Sequence, residues 1–330
     1  LEERGFIRRL ANRARALESE LHLPRVDLRL RVRGDGLVAG LRAWAVEGGT
    51  PIAGTAELRR GDWSGKLWVG GRDLDLGEWS PLLADTGLVL AGAGDLDLWA
   101  RIEAQRIDDV RSRAELAPLA LGSRTPWFPR EDGSLHSPPA AFERVDLLAR
   151  WQAQGEGWQL HAPELHFHQR GREQPLSLDG LWVAGGPAWA LQAPAVDFAP
   201  ARALAVLSPR LPDGLRRWLH RAAPEGRLRN LRVQGQGGRF SGSAGFEGIG
   251  WWANERQPGL SGLSGSAAFD EAGGVMKVRG PMRFDWEGFR EPLDAELGGT
   301  LGWWRDGGAW SLGAAGLRVR GADYGTTLRA

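Results

Sequence analysis

Two histidines and two pairs of aspartates are the side chains of this 330-residue chain whose spacing would suit chemistry. His166 and His168 flank Phe167, so both imidazoles would lie on one face of a β-strand, where such a pair can chelate a metal ion. No third ligand follows at a supporting spacing, and a bare histidine pair is a weak metal signal. We therefore expect a solvated polar face here and no metal.

The paired aspartates Asp73/Asp75 and Asp95/Asp97 are the residues best spaced for general acid–base catalysis. That chemistry needs one carboxyl group with a raised pKa inside a pocket. Here the aspartates alternate with leucines, which is the pattern of a strand with one wet face. The sequence predicts surface carboxylates and not a catalytic pair.

Other signatures of catalysis and of cofactor binding are missing from the sequence. The chain has no cysteine, which excludes thiol catalysis and thiolate metal sites. Neither Gly-rich stretch, at 235–238 and 259–265, ends in Gly-Lys-Ser/Thr, and no serine stands in a Gly-x-Ser-x-Gly motif. The 42 basic and 41 acidic residues nearly cancel, which argues against nucleic acid as a partner. We expect no enzyme activity and no cofactor.

Apolar side chains recur at every second position over much of the chain. Leu28 and Leu30 alternate with charged residues, and Leu96 and Leu98 do the same with Asp97 between them. Such alternation is typical of an antiparallel sheet with one apolar face and one face in water. The 48 glycines and 19 prolines between short apolar runs favour many strands joined by turns. We predict a long, meandering, mostly antiparallel β-structure.

A tryptophan-containing repeat occurs three times. In each copy two tryptophans lie seven residues apart and enclose a Gly-containing turn, which predicts a β-hairpin. The apolar alternation of the return arm shifts by one residue at an Ala-Pro or Ala-Ala step. Because such a shift would turn the apolar face over unless a bulge absorbs it, we expect a kink there. The copies begin at Trp151, Trp182 and Trp303.

The patterns divide the chain into segments. The chain starts at Leu1 without methionine, contains no apolar run of about 18 residues or more, and is expected to be an internal fragment of a longer protein. The segments are expected to form one continuous elongated unit. They are an amphipathic helix at 1–23, a first β-groove stretch at 24–121, a loop at 122–139, β-hairpin repeats at 140–199, a helical pair at 200–223 with Asp213 capping its second helix, and a second β-groove stretch at 224–330.

Short motifs spread along the chain carry a resemblance to a known family. They are Asp62-Trp63-Ser64-Gly65, Leu211-Pro212 through Trp218-Leu219, Pro224-Glu225-Gly226 followed by Arg227–Val233, Pro258-Gly259-Leu260-Ser261-Gly262-Leu263-Ser264-Gly265, Arg290-Glu291-Pro292-Leu293 and Trp303-Trp304-Arg305. In this order the set resembles the YhdP branch of the AsmA-like (bridge-like lipid transfer) family. The combination is more specific than any single motif, and the region before Asp62 is similar only in style.

The resemblance implies a fold, a location and a cargo. It implies a periplasmic protein of Gram-negative bacteria, anchored in the inner membrane by a part of the parent protein outside this chain. Its strands would form an elongated, curved antiparallel sheet with an apolar groove that carries phospholipid toward the outer membrane. The partners would be phospholipid acyl chains and the two membranes. The family has no catalytic residues to carry over.

On this hypothesis the apolar strand faces line the groove. The expected lining residues are Leu28, Leu30, Leu96, Leu98, Leu165, Phe167, Val196, Phe198, Leu317 and Val319. Two other classes of function compete with it: a β-sandwich or propeller that binds glycans through some of the 17 tryptophans, and an envelope-assembly scaffold without cargo. A closed sandwich would bury the apolar face, whereas a groove would leave it exposed.

Overall fold

The computed structural model describes residues 23–81, 86–208, 211–253, 257–286 and 288–329. The helix predicted for residues 1–23 lies outside them apart from Leu23. The chain forms two compact units: unit 1 is Leu1–Arg150 with Phe167–Glu173, and unit 2 is Trp151–His166 with Gln174–Ala330. The described residues therefore group by contacts within each unit, and the helical pair lies inside unit 2.

Strands make up most of the described chain, and three helices interrupt them. In chain order the elements are β1 (Arg25–Arg33), β2 (Gly36–Trp44), β3 (Ile52–Arg59), β4 (Gly65–Asp75), α1 (Leu76–Trp79), β5 (Leu88–Glu103), β6 (Arg106–Ser123), β7 (Phe128–Pro129), β8 (Leu135–His136), β9 (Ala140–Phe142), β10 (Arg144–Gln154), β11 (Gly157–His168), β12 (Leu176–Ser177), β13 (Leu181–Gly185), β14 (Ala188–Asp197), α2 (Phe198–Ala205), α3 (Asp213–Ala222), β15 (Glu225–Gln236), β16 (Arg239–Trp251), β17 (Gly259–Asp270), β18 (Gly273–Asp285), β19 (Leu293–Asp306), β20 (Ala309–Arg320) and β21 (Gly325–Leu328).

The strands form an antiparallel meander, as the alternation predicts. From β1 to β6, and again from β13 to β21, each strand pairs antiparallel with the next one. Nineteen strands belong to a single sheet, and β7 and β8 form a separate ribbon. Among the described strands, β1 pairs with β2 and β21 pairs with β20, so the sheet is not closed. The predicted class, a mostly β chain with a long antiparallel sheet, is confirmed.

The three tryptophan repeats are hairpins. The turns lie at 155–156, 186–187 and 307–308, between β10 and β11, β13 and β14, and β19 and β20. Gly307 and Gly308 have φ angles of 53° and 93°, which glycine adopts without a steric cost. The predicted change of phase in the return arm is confirmed. Buried side chains step from Ala162 to Phe167 in β11 and from Ala193 to Val196 in β14, odd spacings that an unbroken alternation cannot give.

A line of bends crosses the strands of unit 2. The register shifts between β15 and β16, β16 and β17, β17 and β18, and β19 and β20. Such β-bulges add a residue to one strand and bend it. In β20 the shift follows the Ala314-Ala315 step, as predicted. The bends coincide with residues of positive φ in β15 to β20: Asn230 (50°), Gly248 (59°), Gly262 (84°), Gly280 (95°), Gly299 (148°) and Gly316 (63°), with a further one at Gly226 (109°) near the start of β15.

The helical pair differs in detail from the prediction. β14 ends at Asp197 and Phe198 is the first residue of α2, so the prediction of Phe198 as a strand residue is wrong. Pro200 suits this first helical turn, where backbone N–H groups need no intrahelical partner. Asp213 is likewise the first residue of α3 and not its cap, which is Pro212. The buried side chains of α3 are Ala222, 0% exposed, and Arg216, 2% exposed, whose Nε donates to the Val206 carbonyl at 2.8 Å.

The segment 122–139 is more ordered than the predicted loop. β6 continues to Ser123, and β7 and β8 form a short ribbon in which Phe128 faces His136. Trp127 precedes this ribbon and is 2% exposed. The ribbon therefore covers an aromatic side chain that the composition of the segment did not indicate.

Adjacent glycines in β19 test the bend line. We expect Gly299→Ala to lower the free energy of unfolding by about 1–3 kcal/mol. Its φ is 148°, and an added Cβ would lie 2.6 Å from the Leu317 Cα. Gly298→Ala is the matched control because open space surrounds that position. Urea unfolding of both variants measures the difference, and equal stabilities would contradict a required bend at Gly299.

Candidate functional site

Strand register aligns the apolar faces of β1 to β6 in unit 1. Directly paired residues lie on the same face of a sheet, so each series of pairs defines a row across the strands. Three successive rows contain only apolar side chains, glycine and one serine. They are Val32, Leu37, Leu58, Gly65, Ile102 and Ile107; then Leu30, Ala39, Ala56, Leu67, Ala100 and Val110; then Leu28, Leu41, Gly54, Val69, Leu98 and Ser112.

This apolar face is open to solvent. Leu28 and Leu30 on β1 are 58% and 57% exposed, and Leu41 on β2 is 39% exposed. Leu96 and Leu98 on β5 are half-buried among their neighbours. A face that was covered by a second sheet would bury such residues to a few percent. In unit 1 the aligned rows are therefore a surface and not the interior of a sandwich.

The opposite face of the same strands is charged. Asp109 on β6 is its most buried acid, with 6% of its side chain exposed. Arg150 Nε donates to Asp109 Oδ2 at 2.8 Å, and Arg101 and Arg111 lie 3.7 Å from the carboxylate. Burial alone would raise the pKa of Asp109, but the hydrogen bonds and charge of these arginines hold it below its usual value. The row that contains it is Arg31, Val38, Glu57, Lys66, Arg101 and Asp109.

A second buried acid on the charged face is satisfied in the same way. Asp97 on β5 accepts a hydrogen bond from Trp68 Nε1 at 3.0 Å and one from Arg72 at 2.7 Å. Of the other aspartates singled out in the sequence, Asp95 lies 3.6 Å from Arg72 and accepts a hydrogen bond from the Asp73 N–H at 3.0 Å. Asp75 accepts a hydrogen bond from the Gly77 N–H at the start of α1.

Unit 2 has an apolar face of the same kind, with a buried centre. Phe246 on β16, Val278 on β18 and Leu317 on β20 are 7%, 3% and 8% exposed and form one cluster. Along β18 the side chains alternate between these half-buried positions and exposed polar ones such as Lys277 and Arg279. The half-buried residues that pack against the cluster are Leu228, Ile249, Leu263, Ala267, Met276, Leu297, Leu301 and Ala314.

The buried cluster of unit 2 spans alternate strands. β16, β18 and β20 are alternate strands, which lie about 10 Å apart in a flat sheet. Their side chains meet here because Gly265 and Gly299 occupy the positions between them and the bend line curves the strands. A shallow depression of about 440 Å³ on unit 2, beside Ser243, Ser266 and Lys277, is lined largely by residues of the opposite, polar face.

The comparisons with known proteins agree with this architecture. A family model described as "YhdP protein" matches residues 7–326. The chain belongs to the YhdP family. No curated protein and no solved structure matches the chain. YhdP family membership is consistent with a role in lipid transport.

Several motifs that carried the YhdP resemblance lie at turns and bends of the sheet, whereas those at 211–219 and 303–305 lie in α3 and in β19. Asp62 lies in the β3–β4 turn, where it accepts hydrogen bonds from the backbone and the hydroxyl of Ser64 at 3.1 and 2.9 Å. Gly226 and Gly262 have φ angles of 109° and 84°, at the start of β15 and in the bend line. These motifs therefore set the path of the strands.

The predicted groove residues occupy three kinds of environment. Leu28, Leu30, Leu96 and Leu98 lie in or beside the aligned rows of unit 1, and Leu96 pairs with Ala114. Phe167 is 2% exposed, with its ring 4.9 Å from that of Phe142, so it contributes to a core and not to an open surface. In unit 2, Val196 pairs with Leu228 and Val319 pairs with Leu297. Leu317 belongs to the buried cluster, and Leu165 is half-buried. Phe198 begins α2.

The prediction missed the centre of the unit 2 surface. Met276 and Val278 on β18, Leu301 on β19 and Phe246 on β16 are not among the predicted residues, although they form or contact the buried cluster. A signal was present in β18, where Met276 and Val278 alternate with Lys277 and Arg279. In the neighbouring strands the glycines of the bend line interrupt the alternation, so the other residues of the cluster do not follow a regular pattern in the sequence.

The histidine pair makes ordinary polar contacts. His166 Nε2 lies 2.8 Å from Asp179 Oδ2, and His168 Nε2 lies 3.1 Å from Asp146 Oδ2. The described residues contain no group of three or more side chains placed to hold a metal ion. They also contain no helix with the length and apolar character needed to cross a membrane.

The pKa of Asp109 makes the stability of unit 1 depend on pH. Because this pKa is lowered on folding, its contribution is complete above the unfolded value of about 3.9 and is lost as the pH falls through the folded value. We expect Asp109→Asn to cost about 1–3 kcal/mol at pH 7, with a difference that shrinks below pH 4. Urea unfolding from pH 7 to pH 2.5 measures this.

Asp108→Asn is the control for that titration. Its carboxylate lies 3.9 Å from Arg101, at the outer limit of an ion pair, and it is half-exposed. We expect a change below about 0.5 kcal/mol. A cost of Asp109→Asn that stayed constant down to pH 2.5 would contradict the lowered pKa.

Proposed function

We propose that this chain is a lipid-conducting segment of a periplasmic protein that moves phospholipid between the inner and outer membranes of a Gram-negative bacterium. The observation that carries the proposal is the apolar face of unit 1, continuous in register across six strands and open to solvent. The family relationship supports the same cargo. The membranes would be reached through parts of the parent protein outside this chain, one of which anchors it in the inner membrane.

The physical basis is the cost of exposing acyl chains to water. Each Å² of apolar surface exposed costs about 25 cal/mol, so a chain that left a bilayer without a covering surface would meet a high barrier. A row of similar leucine, valine and alanine side chains replaces that water at every step. Because neighbouring positions such as Leu30, Ala39 and Ala56 are alike, a lipid meets no single tight site that would hold it.

The charged face supports the proposal by contrast. Its buried acids Asp97 and Asp109 are partnered by arginine, and it presents guanidinium groups such as Arg29 and Arg31 to water. One face of the sheet is thus suited to water and the other to hydrocarbon. We propose no catalytic role for the chain; the pair Asp95/Asp97 is engaged with Arg72.

Photo-crosslinking at adjacent residues of one strand tests the proposal. A crosslinking amino acid at Leu98, on the apolar face, is expected to capture phospholipid during expression in a Gram-negative host, detected by mass spectrometry. Trp99, which points to the other face and is 43% exposed, is the matched control. Met276 and Val275 form the corresponding pair in unit 2. Equal capture at both faces, or none at Leu98 and Met276, would exclude a lipid-conducting face.

Charge substitution on the edge strand gives a second test. Val32→Arg places a cation on the apolar face, where loss of apolar contact is worth about 1.5 kcal/mol and hence roughly tenfold in bound lipid. Val32 is 56% exposed, so the fold should not depend on it. Val38→Arg places the same charge on the opposite face, where Val38 pairs with Arg31, and should leave bound lipid unchanged.

Phospholipid extracted per mole of purified protein is the measurement for these two variants. A decrease with Val32→Arg alone supports transport along the apolar face. An equal amount of lipid in the two variants would favour a scaffold without cargo. Saturable sugar binding that is lost in Trp251→Ala and Trp252→Ala would favour the glycan-binding alternative.

A further inference from the structure

Aromatic side chains line one end of the apolar face in unit 2. At this end the strands are joined by two-residue turns, at 155–156, 186–187, 237–238, 271–272 and 307–308. The aromatic residues lie within four positions of those turns, and strand register places them on the apolar face. We call this set the aromatic rim; it consists of Trp158, Trp189, Phe240, Phe269, Trp303 and Trp310.

Glycines in the neighbouring strands leave space for these rings to lie against the sheet. Trp158 faces Gly185 in the neighbouring strand and Trp189 faces Gly235, and a Cβ added to either glycine would lie 2.6 Å from the ring. Phe269 has the same relationship to Gly242. Each of these three rings therefore lies against the backbone of the next strand. This packing fixes the position of the ring, and it would be possible for any aromatic side chain.

Three indole N–H groups of the rim are exposed and free to donate. Among the described residues, Trp158, Trp189 and Trp310 have no hydrogen-bond partner for Nε1, and they are 38%, 45% and 59% exposed. At the opposite ends of the strands, Trp251 Nε1 donates to the Pro258 carbonyl at 2.9 Å, and Trp218 Nε1 donates to Gln257. Trp252 and Trp286, at the opposite connections, are also exposed. The rim is therefore marked by six rings that strand register places together on the apolar face, and its free indole N–H groups are open to water.

Such a combination matches the boundary between acyl chains and polar headgroups. Tryptophan is enriched at this depth in membranes because its ring is apolar and its N–H needs an acceptor. The strand segment between the rim and the bend line is also long enough to cover the acyl chains of one lipid. From Gly274, which faces Trp303, to the bend at Gly280 is six residues, or about 20 Å at about 3.3 Å per residue. One leaflet of hydrocarbon is about 15 Å thick.

We propose that the aromatic rim binds the glycerol–ester and phosphate region of a phospholipid whose acyl chains lie on the apolar cluster around Val278 and Phe246. We call this cluster, with the half-buried residues packed against it, the floor. This inference rests on the proposed function and adds an orientation to it: headgroups lie at the two-residue turns, and chain ends lie toward the bend line. The ester and phosphate oxygens accept hydrogen bonds from the free indoles, and the rings cover the first methylene groups.

Phospholipids that carry a diazirine at different depths test the orientation. The purified chain is incubated with phosphatidylethanolamine vesicles that contain a trace of a probe labelled either at the headgroup or at the acyl terminus, and is then irradiated and digested. We expect the headgroup probe to label residues at the aromatic rim, such as Phe240 and Trp310. The acyl-terminal probe should label floor residues, such as Met276 and Leu301.

The possible outcomes separate the two proposals. Headgroup labelling at the opposite connections, 252–258 and 286–292, or the same distribution for both probes, would overturn the orientation and leave lipid binding intact. Labelling of no apolar-face residue by either probe would overturn the proposed function as well.

Adjacent tryptophans in β19 provide the matched variants. Trp303→Leu removes a rim indole, whereas Trp304→Leu removes an indole from the other face, where Trp304 is 47% exposed. We expect rim labelling by the headgroup probe to fall two- to tenfold in Trp303→Leu, the usual effect of one lost hydrogen bond, and to stay unchanged in Trp304→Leu. Unchanged acyl-probe labelling of the floor shows that each variant is folded. Equal headgroup labelling in the two variants would overturn the role of the rim.

Discussion

The register of antiparallel pairing is the constraint on which the rest of this structure depends. Alternation gives each strand an apolar side, but a shift of one residue between neighbours would point that side in the opposite direction. In unit 1 the pairs Leu30 with Ala39 and Leu67 with Ala100 keep every apolar side on one face. The charged side is fixed at the same time, since Arg101 and Asp109 are paired by the same ladder.

A face of this kind is costly in water, and the structure limits the cost in two ways. Glycine and alanine are frequent in the rows, as at Gly54 and Ala56, so the apolar area per strand is small. In unit 2 the bend line brings Phe246, Val278 and Leu317 together and removes their side chains from solvent. A surface that is shallow, repeated and partly self-covering suits a ligand that slides, whereas a deep pocket would retain it.

Sequence patterns over a few neighbouring residues predicted much of this fold. They gave wrong predictions where contacts between residues far apart in the chain determine the local structure. The hairpins at the tryptophan repeats follow from their turn residues and alternation, which act over a few positions. Phe198 continued the alternation of its strand, yet the chain turns into a helix there because Asp197 is held by Arg227 and by the backbone of Ser177. Arg216 can be buried because the carbonyl of Val206, directly after α2, accepts its hydrogen bond. Neither contact is visible in the sequence near the residue.

The sequence by itself determined the class of structure, the presence of one apolar and one polar side on each strand, and the family. It did so because alternation, turn chemistry and composition are properties of neighbouring residues. Only the tertiary structure decided that the apolar sides coincide across strands, that Phe246, Val278 and Leu317 form one buried cluster in unit 2, and that Phe167 lies in a core. Those outcomes depend on register, on bulges such as that at Gly299, and on which strands meet, and each of these is set by residues far apart in the chain.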